Sequence, residues 1–411
     1  MKRRVVITGM GALSPIGNTV EEMWAAARAG QCGIDLIKGF DTAEHKVKVA
    51  GELKGFDITD HMDKMSARRT ARFTQLALVA AREAFTQSGL DMSKENAARC
   101  GVNISSGIGG LPTIEEEHYK GIKRGFDKVS PLFVPMAISN MAAGTVAIEF
   151  GFKGSCTCVV TACASGTNAI GEAFRQIRDG YADVFLTGGS ESCISELGIG
   201  GFTSMKALSE SQDPKRASIP FDRERNGFVM GEGAGVLLLE SYDHAVARGA
   251  EILCEIAGYG VSCDANHMTA PLEDGSGAAA CMSSALEDAG VSADQVGYIN
   301  AHGTSTPMND RCETLAVKTA FGASAGNLLM SSTKSMTGHL LGASGAVEAV
   351  LTVKALRDGF APPTIGYREA DPDCDLDIVA NAGRAMDTDY AMSNSLGFGG
   401  HNASILFRRV K

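Results

Sequence analysis

The strongest constraint on the fold is a pattern that occurs twice in this 411-residue chain. An Ala-Ser-Gly triplet at Ala164 is followed by helical apolar spacing and by an Arg-Asp-Gly triplet that ends at Gly180. The same two triplets recur between Ala343 and Gly359, again over 17 residues. A chain that repeats its own elements in this way predicts two similar halves, with a functional site where the halves meet.

A second repeat shows that the two halves differ in length. The segment Ile-Thr-Gly-Met-Gly from Ile7 matches Ile-Ala-Gly-Tyr-Gly from Ile256, and both are interpreted as β-rich runs that end in a Gly-x-Gly turn. The two repeats are offset by 179 and 249 residues, so the first half carries 70 additional residues. We therefore expect a first half at residues 1–250, with an inserted cap between residues 51 and 135, and a second half at residues 251–411.

Strand and helix patterns alternate along the chain. Short apolar runs precede helical patterns, for example at residues 182–187, 235–239, 296–299 and 328–331. Such alternation, with strands this apolar, is typical of layered α/β folds in which the sheets are buried. The sequence therefore predicts the α/β class.

Charge, hydropathy and cysteine usage exclude several classes of function. The formal net charge of −10 argues against non-specific nucleic-acid binding, which needs a basic surface. No apolar stretch approaches the roughly 18 residues of a membrane span, and none at the N-terminus has the length of a signal peptide. We expect a cytoplasmic protein that binds neither membrane nor nucleic acid. The eleven cysteines include no CxxC pair, which argues against a disulfide framework and against zinc.

Cys163 is the candidate nucleophile. Residues 158–161 are interpreted as the end of a strand, and the small residues from Ala162 to Gly166 open the first repeated helix. A cysteine at a helix N-terminus meets unsatisfied N–H groups and the positive end of the helix dipole, which favour the reactive thiolate. The alternative, a buried core cysteine, fits most of the other ten.

Two histidines, a lysine and a phenylalanine accompany this cysteine. His302 and His339 follow predicted strands, where neutral imidazoles can stabilise an oxyanion or an enolate. Histidines in loops are otherwise structural or solvated. Lys334 either holds a carboxylate or tunes an imidazole, or it is a surface lysine. Phe398 stands among glycines that let the backbone approach a ligand, and its ring is either a movable door or the plug of a tight turn.

These segments together resemble the β-ketoacyl-[acyl-carrier-protein] synthases of thiolase fold, and most closely the condensing enzymes of type II fatty-acid synthesis. The likeness covers the whole chain and rests on motifs in the family's order at residues 5–11, 161–166, 220–223, 227–235, 302–307, 334, 339 and 397–400. Several long motifs in the right order are a specific signal. The resemblance implies a thiolase-like fold, with duplicated α/β halves in a layered αβαβα arrangement.

The resemblance also implies an acyltransferase that catalyses a decarboxylating Claisen condensation. Cys163 takes an acyl chain from acyl carrier protein as a thioester, and the N–H groups of Cys163 and Phe398 form the oxyanion hole. His302 and His339 support decarboxylation of malonyl-carrier protein and stabilise the enolate. The carbanion then attacks the acyl thioester, which gives a 3-oxoacyl product and carbon dioxide. Lys334 orients His339, and Phe398 is a gate between the two half-reactions.

Further site residues follow from the same resemblance. Thr304 and Thr306 bind the phosphopantetheine arm, Ile108 and Phe202 line the acyl pocket, and Gly399 belongs to the substrate-binding glycine loop. Carrier protein is acidic, so an enzyme of charge −10 needs a local basic surface for docking. The candidates, which are otherwise a solvated face, are Lys64, Arg68, Arg69, Lys123, Arg124, Lys128 and Lys206. The chemistry needs no cofactor, but a structural Na⁺ or K⁺ is implied near Asn300, Glu348, Ser393 and Asn394. The family also implies a homodimer.

Three other functions compete with this one. A degradative thiolase needs a second reactive cysteine near the C-terminus, but Cys374 stands among acids that raise its pKa and outside any glycine loop. A non-catalytic chain-length partner would lack the nucleophile. A ketosynthase of a type II polyketide pathway would carry the same catalytic residues and stays open, although a chain without appended domains favours fatty-acid synthesis.

Overall fold

The computed structural model describes residues 2–410. Its strands are β1 (Val5–Leu13), β2 (Asp35–Leu36), β3 (Val49–Ala50), β4 (Cys100–Ser105), β5 (Cys156–Thr157), β6 (Val184–Glu191), β7 (Gly233–Ser241), β8 (Cys254–Cys263), β9 (Val296–Asn300), β10 (Leu329–Ser331), β11 (Phe360–Ala361), β12 (Arg384–Ala385), β13 (Tyr390–Gly397) and β14 (His401–Arg408). Its α-helices are α1 (Val20–Arg28), α2 (Lys64–Arg68), α3 (Arg72–Ser88), α4 (Leu111–Arg124), α5 (Phe133–Ala137), α6 (Met141–Phe150), α7 (Ser165–Arg178), α8 (Glu196–Ser204), α9 (Tyr242–Ala247), α10 (Ser276–Ala289), α11 (Pro307–Phe321), α12 (Lys334–Thr337) and α13 (Ser344–Asp358). Within residues 2–410, none of these helices combines the length and the hydropathy that a membrane-spanning segment requires.

The two halves of the main sheet have the same strand order. Ten strands are hydrogen-bonded in the order β10-β9-β13-β14-β8-β1-β7-β6-β4-β5. β1 and β8 meet antiparallel at the centre, where Val5 pairs with Ile256. Outward from the centre, each half has two antiparallel pairings followed by two parallel ones. The predicted duplication is therefore confirmed in the topology, whereas the division between residues 250 and 251 stays a prediction.

The two Gly-x-Gly segments were predicted to be turns. This prediction is wrong, because they lie inside β1 and β8. A Cβ atom on Gly9 would stand 2.0 Å from the carbonyl oxygen of Ala84 in α3. One on Gly258 would stand 2.3 Å from the carbonyl oxygen of Ala285 in α10. Glycine is needed at both positions because only a bare Cα lets each helix pack directly on its strand. The same close approach in both halves accounts for the repeat in the sequence.

Helices cover both outer faces of the sheet and fill the space between its halves. α3 packs on β1 and α10 packs on β8, whereas α7 and α13 contact each other and both half-sheets. Every residue of α13 from Ser344 to Leu356 is buried, as expected for a helix between two sheets. This order of layers, αβαβα, confirms the predicted fold class.

The 70 additional residues between the two repeats of the first half lie mainly in two connections. These connections are residues 14–71, between β1 and α3, and residues 106–155, between β4 and β5, and both are shorter in the second half. The expected single cap between residues 51 and 135 is wrong, because α3 and β4 inside that range correspond to α10 and β9 of the second half.

Candidate active site

Cys163 lies in a single turn of 3₁₀ helix that runs into α7. The strand expected up to Thr161 ends earlier, with β5, because the chain bends: the N–H of Thr161 donates to Ser165 Oγ at 2.9 Å. The same hydroxyl donates to the carbonyl oxygen of Ala162 at 2.6 Å. Ala162 has a φ of 50°, in the left-handed region that a residue with a Cβ rarely adopts. A strained turn therefore presents the thiol at the start of the helix.

Burial dominates the acidity of this thiol. Cys163 is 8% exposed, and desolvation raises the pKa of its thiol to about 12. The charge of Lys334 and the N–H groups of Phe398 and of Cys163 itself act in the opposite direction. The expectation of a resting thiolate is therefore wrong, because desolvation destabilises the thiolate more than the helix N-terminus stabilises it. The thiol is protonated at pH 7 and must give its proton to a base as it attacks.

Two neutral imidazoles lie side by side in the site. The rings of His302 and His339 have their centroids 5.4 Å apart and are almost perpendicular, at 85°. Burial, together with the charge of Lys334, lowers the pKa of each ring well below its usual value of 6.5. Neutral rings can accept a proton at one nitrogen and donate a hydrogen bond from the other at pH 7.

His339 is fixed by its backbone and by its ring. Its N–H donates to the carbonyl oxygen of Val229 at 2.7 Å, and its Nδ1 lies 2.8 Å from Ser344 Oγ. Phe228 meets the ring edge-on, with centroids 5.1 Å apart. Because Ser344 begins α13, the second repeated helix positions this imidazole directly, and Nε2 is the nitrogen available to a substrate.

Lys334 contacts His302 and not His339. Its Nζ donates to the carbonyl oxygen of His302 at 2.7 Å and lies 3.5 Å from Nδ1 of the same ring. An ammonium has only protons to give, so Nδ1 is the acceptor and Nε2 carries the ring proton. The expected orientation of His339 by Lys334 is therefore wrong, because the parallel neighbours β9 and β10 bring Lys334 beside His302. The ammonium also forms a buried ion pair with Glu348.

Glu313 on α11 was missed by the sequence analysis. Its carboxylate accepts the N–H groups of His302 and Gly303, each at 2.8 Å, and the amide of Asn394 at 3.4 Å. Burial raises its pKa to about 7. The available signal was an acidic residue on the buried face of an otherwise amphipathic helix.

One cavity of about 380 Å³ brings most of the predicted site residues together. The predicted residues that line it are Cys163, Phe202, Lys206, His302, Thr304, Thr306, His339 and Phe398. The hydroxyls of Thr304 and Thr306 lie 2.9 Å apart. Because Lys206 is exposed and Cys163 is buried, this cavity reaches from the surface to the thiol.

Ile108 and Gly399 do not line the cavity. Ile108 packs in the apolar cluster that contains Cys163 and Phe202. The N–H of Gly399 donates to the carbonyl oxygen of Met268 at 2.7 Å, and its φ of 88° requires glycine. Gly399 shapes the turn in this structure, and its expected contact with substrate stays a prediction.

The candidate docking residues are exposed and lie on three separate parts of the chain. They are Lys64 and Arg68 on α2 with Arg69 at its end, Lys123 and Arg124 in the last turn of α4 followed by Lys128, and Lys206 after α8. Lys206 alone among them lines the cavity in the described part of the chain. Of these three groups, therefore, only Lys206 is shown to lie at the cavity.

The four residues considered for a monovalent cation lie next to one another. Asn300 pairs with Ser393 between β9 and β13, and its amide donates to the carbonyl oxygen of Glu348 at 3.3 Å. Asn394 follows in β13. Oε2 of Glu348 and Oγ of Ser393 are buried and have no hydrogen-bond partner within residues 2–410. Unsatisfied buried oxygens are what a hard cation requires, so this donor set fits Na⁺ or K⁺.

Acyl transfer through a thioester is the chemistry that this arrangement permits. The thiol can form the thioester, the N–H groups around it can hold an oxyanion, and the uncharged imidazoles can stabilise a second anion in the same cavity. Fold and site together define a condensing enzyme of thiolase fold.

The particular family follows from sequence comparison. Two family models match in order: Beta-ketoacyl synthase, N-terminal domain, over residues 2–245, and Beta-ketoacyl synthase, C-terminal domain, over residues 253–368. The chain belongs to the β-ketoacyl synthase family and is an acyl-transferring condensing enzyme.

Individual relatives match along the whole chain. The chain is 53% identical over 409 residues to 3-oxoacyl-[acyl-carrier-protein] synthase 2 of Staphylococcus aureus (strain COL), which covers 100% of this chain and 99% of that protein. A solved β-ketoacyl synthase from Burkholderia phymatum STM815 is 36% identical, with a TM-score of 0.92 over 100% of both chains. A type II polyketide ketosynthase, solved in complex with its acyl-carrier protein and bound to a hexaketide, has the same identity, TM-score and coverage.

Proposed function

We propose that this chain catalyses the decarboxylating Claisen condensation of malonyl-acyl carrier protein with an acyl-Cys163 thioester, the elongation step of fatty-acid biosynthesis. The products are 3-oxoacyl-acyl carrier protein and carbon dioxide. The observation that carries the proposal is the pair of neutral imidazoles, His302 and His339, in the cavity of a buried thiol. Identity of 53% to a 3-oxoacyl synthase 2, against 36% to the polyketide ketosynthase, favours fatty-acid elongation over a polyketide pathway.

The first half-reaction transfers the acyl group. The thiol of Cys163 attacks the carbonyl carbon of the acyl thioester, and its proton passes to a neutral imidazole, because burial disfavours a free thiolate. The N–H groups of Cys163 and Phe398 stabilise the oxyanion of the tetrahedral intermediate. The bond between the carbonyl carbon and the carrier's sulfur then breaks, the carrier thiol takes the proton, and the acyl group stays on Cys163.

The second half-reaction forms the carbon–carbon bond. Hydrogen bonds from His302 and His339 to the thioester oxygen of the malonyl group stabilise an enolate, so the bond to the carboxylate breaks and carbon dioxide leaves. The enolate carbon attacks the acyl thioester on Cys163. The carbonyl–sulfur bond breaks, the sulfur takes up a proton from solvent, and the 3-oxoacyl group stays on the carrier protein.

The cavity and the apolar cluster behind it accommodate the two parts of the substrate. Thr304 and Thr306 would bind the phosphopantetheine arm, because both line the cavity that contains the thiol and their hydroxyls lie 2.9 Å apart. The acyl chain enters the apolar cluster where Ile108 and Phe202 pack with Cys163. The centroid of the Phe398 ring lies 6.5 Å from that of the Phe202 ring. Movement of the glycine loop therefore opens the passage between the cavity and the apolar cluster.

The partner is an acyl carrier protein that docks beside the cavity entrance. A net charge of −10 repels an acidic partner at long range, so local cations must attract it at short range, within the Debye length of about 8 Å. The exposed lysines and arginines of α2, of the end of α4 and of Lys206 supply such cations. The related ketosynthase solved with its acyl-carrier protein supports this type of partnership.

A structural monovalent cation completes the site. Asn300, Glu348, Ser393 and Asn394 would hold Na⁺ or K⁺, and the ion would supply fixed positive charge that satisfies the two orphaned oxygens. The chemistry itself is carried by the side chains of the cavity. The ion's effect is on the backbone of β9 and β13, whose ends carry His302 and Phe398.

Self-association and location belong to the same proposal. β5 is the last strand of the sheet, both of its residues are exposed, and Val134, Ile148 and Val160 nearby in the sequence are more than half exposed apolar side chains. An unpaired edge with apolar surroundings favours pairing with a second copy. The eleven free thiols support a reducing compartment, which is the cytoplasm.

Product analysis tests the proposed function. The protein is incubated with malonyl-carrier protein and with acyl-carrier proteins of graded chain length, and the products are identified by mass. We expect 3-oxoacyl products two carbons longer than the acyl donor and one carbon dioxide for each condensation. Cys163→Ala should abolish them, whereas Cys156→Ala, which removes an exposed cysteine, should not. Poly-β-ketone products from repeated condensation would favour the polyketide pathway instead.

A further inference from the structure

Glu191 is a buried carboxylate that the proposed reaction does not use. It ends β6 and has no exposed surface. Its oxygens accept hydrogen bonds from Ser106 Oγ (2.7 Å), Gly107 N (2.7 Å), Ile108 N (3.3 Å), Gly342 N (3.0 Å) and Cys193 Sγ (3.4 Å). None of these partners is a cation, and all of them are donors. Burial raises the pKa of this carboxyl, and the hydrogen bonds act in the opposite direction. The donor set favours the ionised form, because no acceptor faces a carboxyl proton.

The turn that carries Gly342 repeats the turn that carries the nucleophile. Gly342 occupies the position of Cys163 in the second half. Leu341 before it has a φ of 49°, against 50° for Ala162 before Cys163, and a single 3₁₀ turn leads into a repeated helix in both cases. In the first half the N–H at this position faces the reacting sulfur. In the second half the equivalent N–H faces Glu191. The second half thus keeps an anion-binding turn, filled by an internal carboxylate.

The carboxylate connects two walls of the site. On one side it holds the backbone of Gly107 and of Ile108, whose side chain packs in the apolar cluster of Cys163. On the other side it holds Gly342, which lies between His339 and the serine that fixes the His339 ring. A Cβ atom on Gly342 would stand 2.3 Å from the nitrogen of Gly107, so the two loops touch without intervening space.

We propose that Glu191 is a positioning residue that locks the loop of His339 to the Ile108 wall of the acyl pocket. The inference rests on the proposed function, because it assigns this wall to the acyl chain. Glu191 keeps the bound chain and the decarboxylating imidazole in a fixed relative position. Its negative charge also acts on the nucleophile, since it adds to burial in raising the pKa of the Cys163 thiol.

Glu191→Gln tests the proposal with little change in volume. The amide turns donor hydrogens toward N–H groups that need an acceptor, so the two loops must move apart. We expect kcat for malonyl decarboxylation and for condensation to fall about tenfold or more, because displacing a reacting group by a fraction of an ångström slows the reaction to this extent. KM for malonyl-carrier protein should change little, and the preference among acyl chain lengths should shift. Iodoacetamide should alkylate Cys163 faster at neutral pH, because a nearby negative charge has been removed.

Glu240→Gln is the matched control. Glu240 is another fully buried glutamate, on the neighbouring strand β7, with Thr8, His244 and Arg248 as partners. This variant should lose stability and keep the wild-type kcat, chain-length preference and alkylation rate. If Glu191→Gln does not fold, Ser106→Ala removes one donor of the same carboxylate and should show smaller changes in kcat and in chain-length preference, in the same direction.

The outcomes separate this inference from the proposed function. The positioning role would be overturned if Glu191→Gln had the same decarboxylation rate, chain-length preference and alkylation rate as the wild-type protein. It would also be overturned if Glu240→Gln showed equal changes. A wild-type protein that neither decarboxylates nor condenses would overturn the proposed function itself. The alkylation rate still measures the effect of Glu191 on Cys163 in that case, because it requires no substrate.

Discussion

Lys334 Nζ lies 3.5 Å from Nδ1 of His302 and donates to the carbonyl oxygen of the same residue at 2.7 Å. One cation therefore fixes both the ring tautomer and the backbone of this imidazole. Its charge also opposes the effect of burial on the pKa of the Cys163 thiol. A single buried lysine thus links the nucleophile to the group that stabilises the enolate.

Replacing Lys334 by methionine should abolish most of the activity. The change leaves the carboxylate of Glu348 buried without its partner, which costs about 3–5 kcal/mol, and it frees His302 to adopt the other tautomer. We expect malonyl decarboxylation to fall about 100-fold or more. Alkylation of Cys163 by iodoacetamide should also slow, because a charge that favours the thiolate is lost. Lys354→Met, which removes the ion pair between α13 and the exposed Glu21, should leave both rates nearly unchanged, and unchanged rates in Lys334→Met would contradict the assignment.

Glu313 should make stability depend on pH near neutrality. Burial raises its pKa from 4.5 to about 7, so the folded state holds this proton more tightly than the unfolded state. Its contribution is fully present below pH 4.5 and is lost as pH rises through about 7. The unfolding free energy of Glu313→Gln minus that of the wild type should therefore rise by about 3 kcal/mol between pH 4.5 and pH 8. Urea denaturation of both proteins at several pH values measures the difference, and a pH-independent difference would contradict the raised pKa.

Glu240 should stabilise the fold only above acidic pH. Burial raises its pKa, but hydrogen bonds from Arg248, His244 and Thr8 outweigh burial and lower it from 4.5 to about 2. The contribution is present above pH 4.5 and is lost as pH falls through about 2. We expect Glu240→Gln to cost about 3 kcal/mol at pH 6 and progressively less toward pH 2 in denaturant titrations. Glu287→Gln, at an exposed site on α10, is the control, and an equal loss of stability in both variants would contradict the role of Glu240.

Charge reversal on α2 should weaken carrier-protein docking. The exposed Lys64 and Arg68 lie four residues apart on one helix, so they present one face to a partner. Lys64→Glu with Arg68→Glu should raise KM for acyl-carrier protein about tenfold at low salt, and less at high salt, because screening weakens both attraction and repulsion. KM for a small acyl thioester should not change. Lys94→Glu, a single charge reversal at another exposed site, serves as the control, and equal losses with both substrates would refute docking on α2.

Gly9→Ala should destabilise the fold strongly. The new methyl group would stand 2.0 Å from the carbonyl oxygen of Ala84, so β1 and α3 must separate. Overpacking of this kind costs about 1–3 kcal/mol or more. Gly200→Ala in α8 meets nothing within 4 Å and should leave the melting temperature unchanged or raise it slightly. Equal melting temperatures for the two variants would show that the helix and strand can separate without cost.

The repeated helices were predictable because their signals are local. Apolar spacing, small residues at the start and glycine at the end are all contained within 17 residues, and α7 and α13 begin where these signals place them. The inserted cap was predicted less well. Offsets between repeats count the additional residues but do not locate them, because α3 and β4 have too little sequence similarity to α10 and β9 for the second half to mark its own missing segments.

By itself, the sequence determined the duplicated α/β architecture and the identity of the reactive side chains, because both follow from local patterns and from motifs that occur in the family's order. Only the tertiary structure decided the acidity of Cys163, the contact of Lys334 with His302, and the positions of Glu313 and Glu191. Each of these depends on burial and on distances between segments far apart in the chain. The helix end favours a thiolate locally, but the whole fold removes water from the sulfur, and that desolvation is the larger effect.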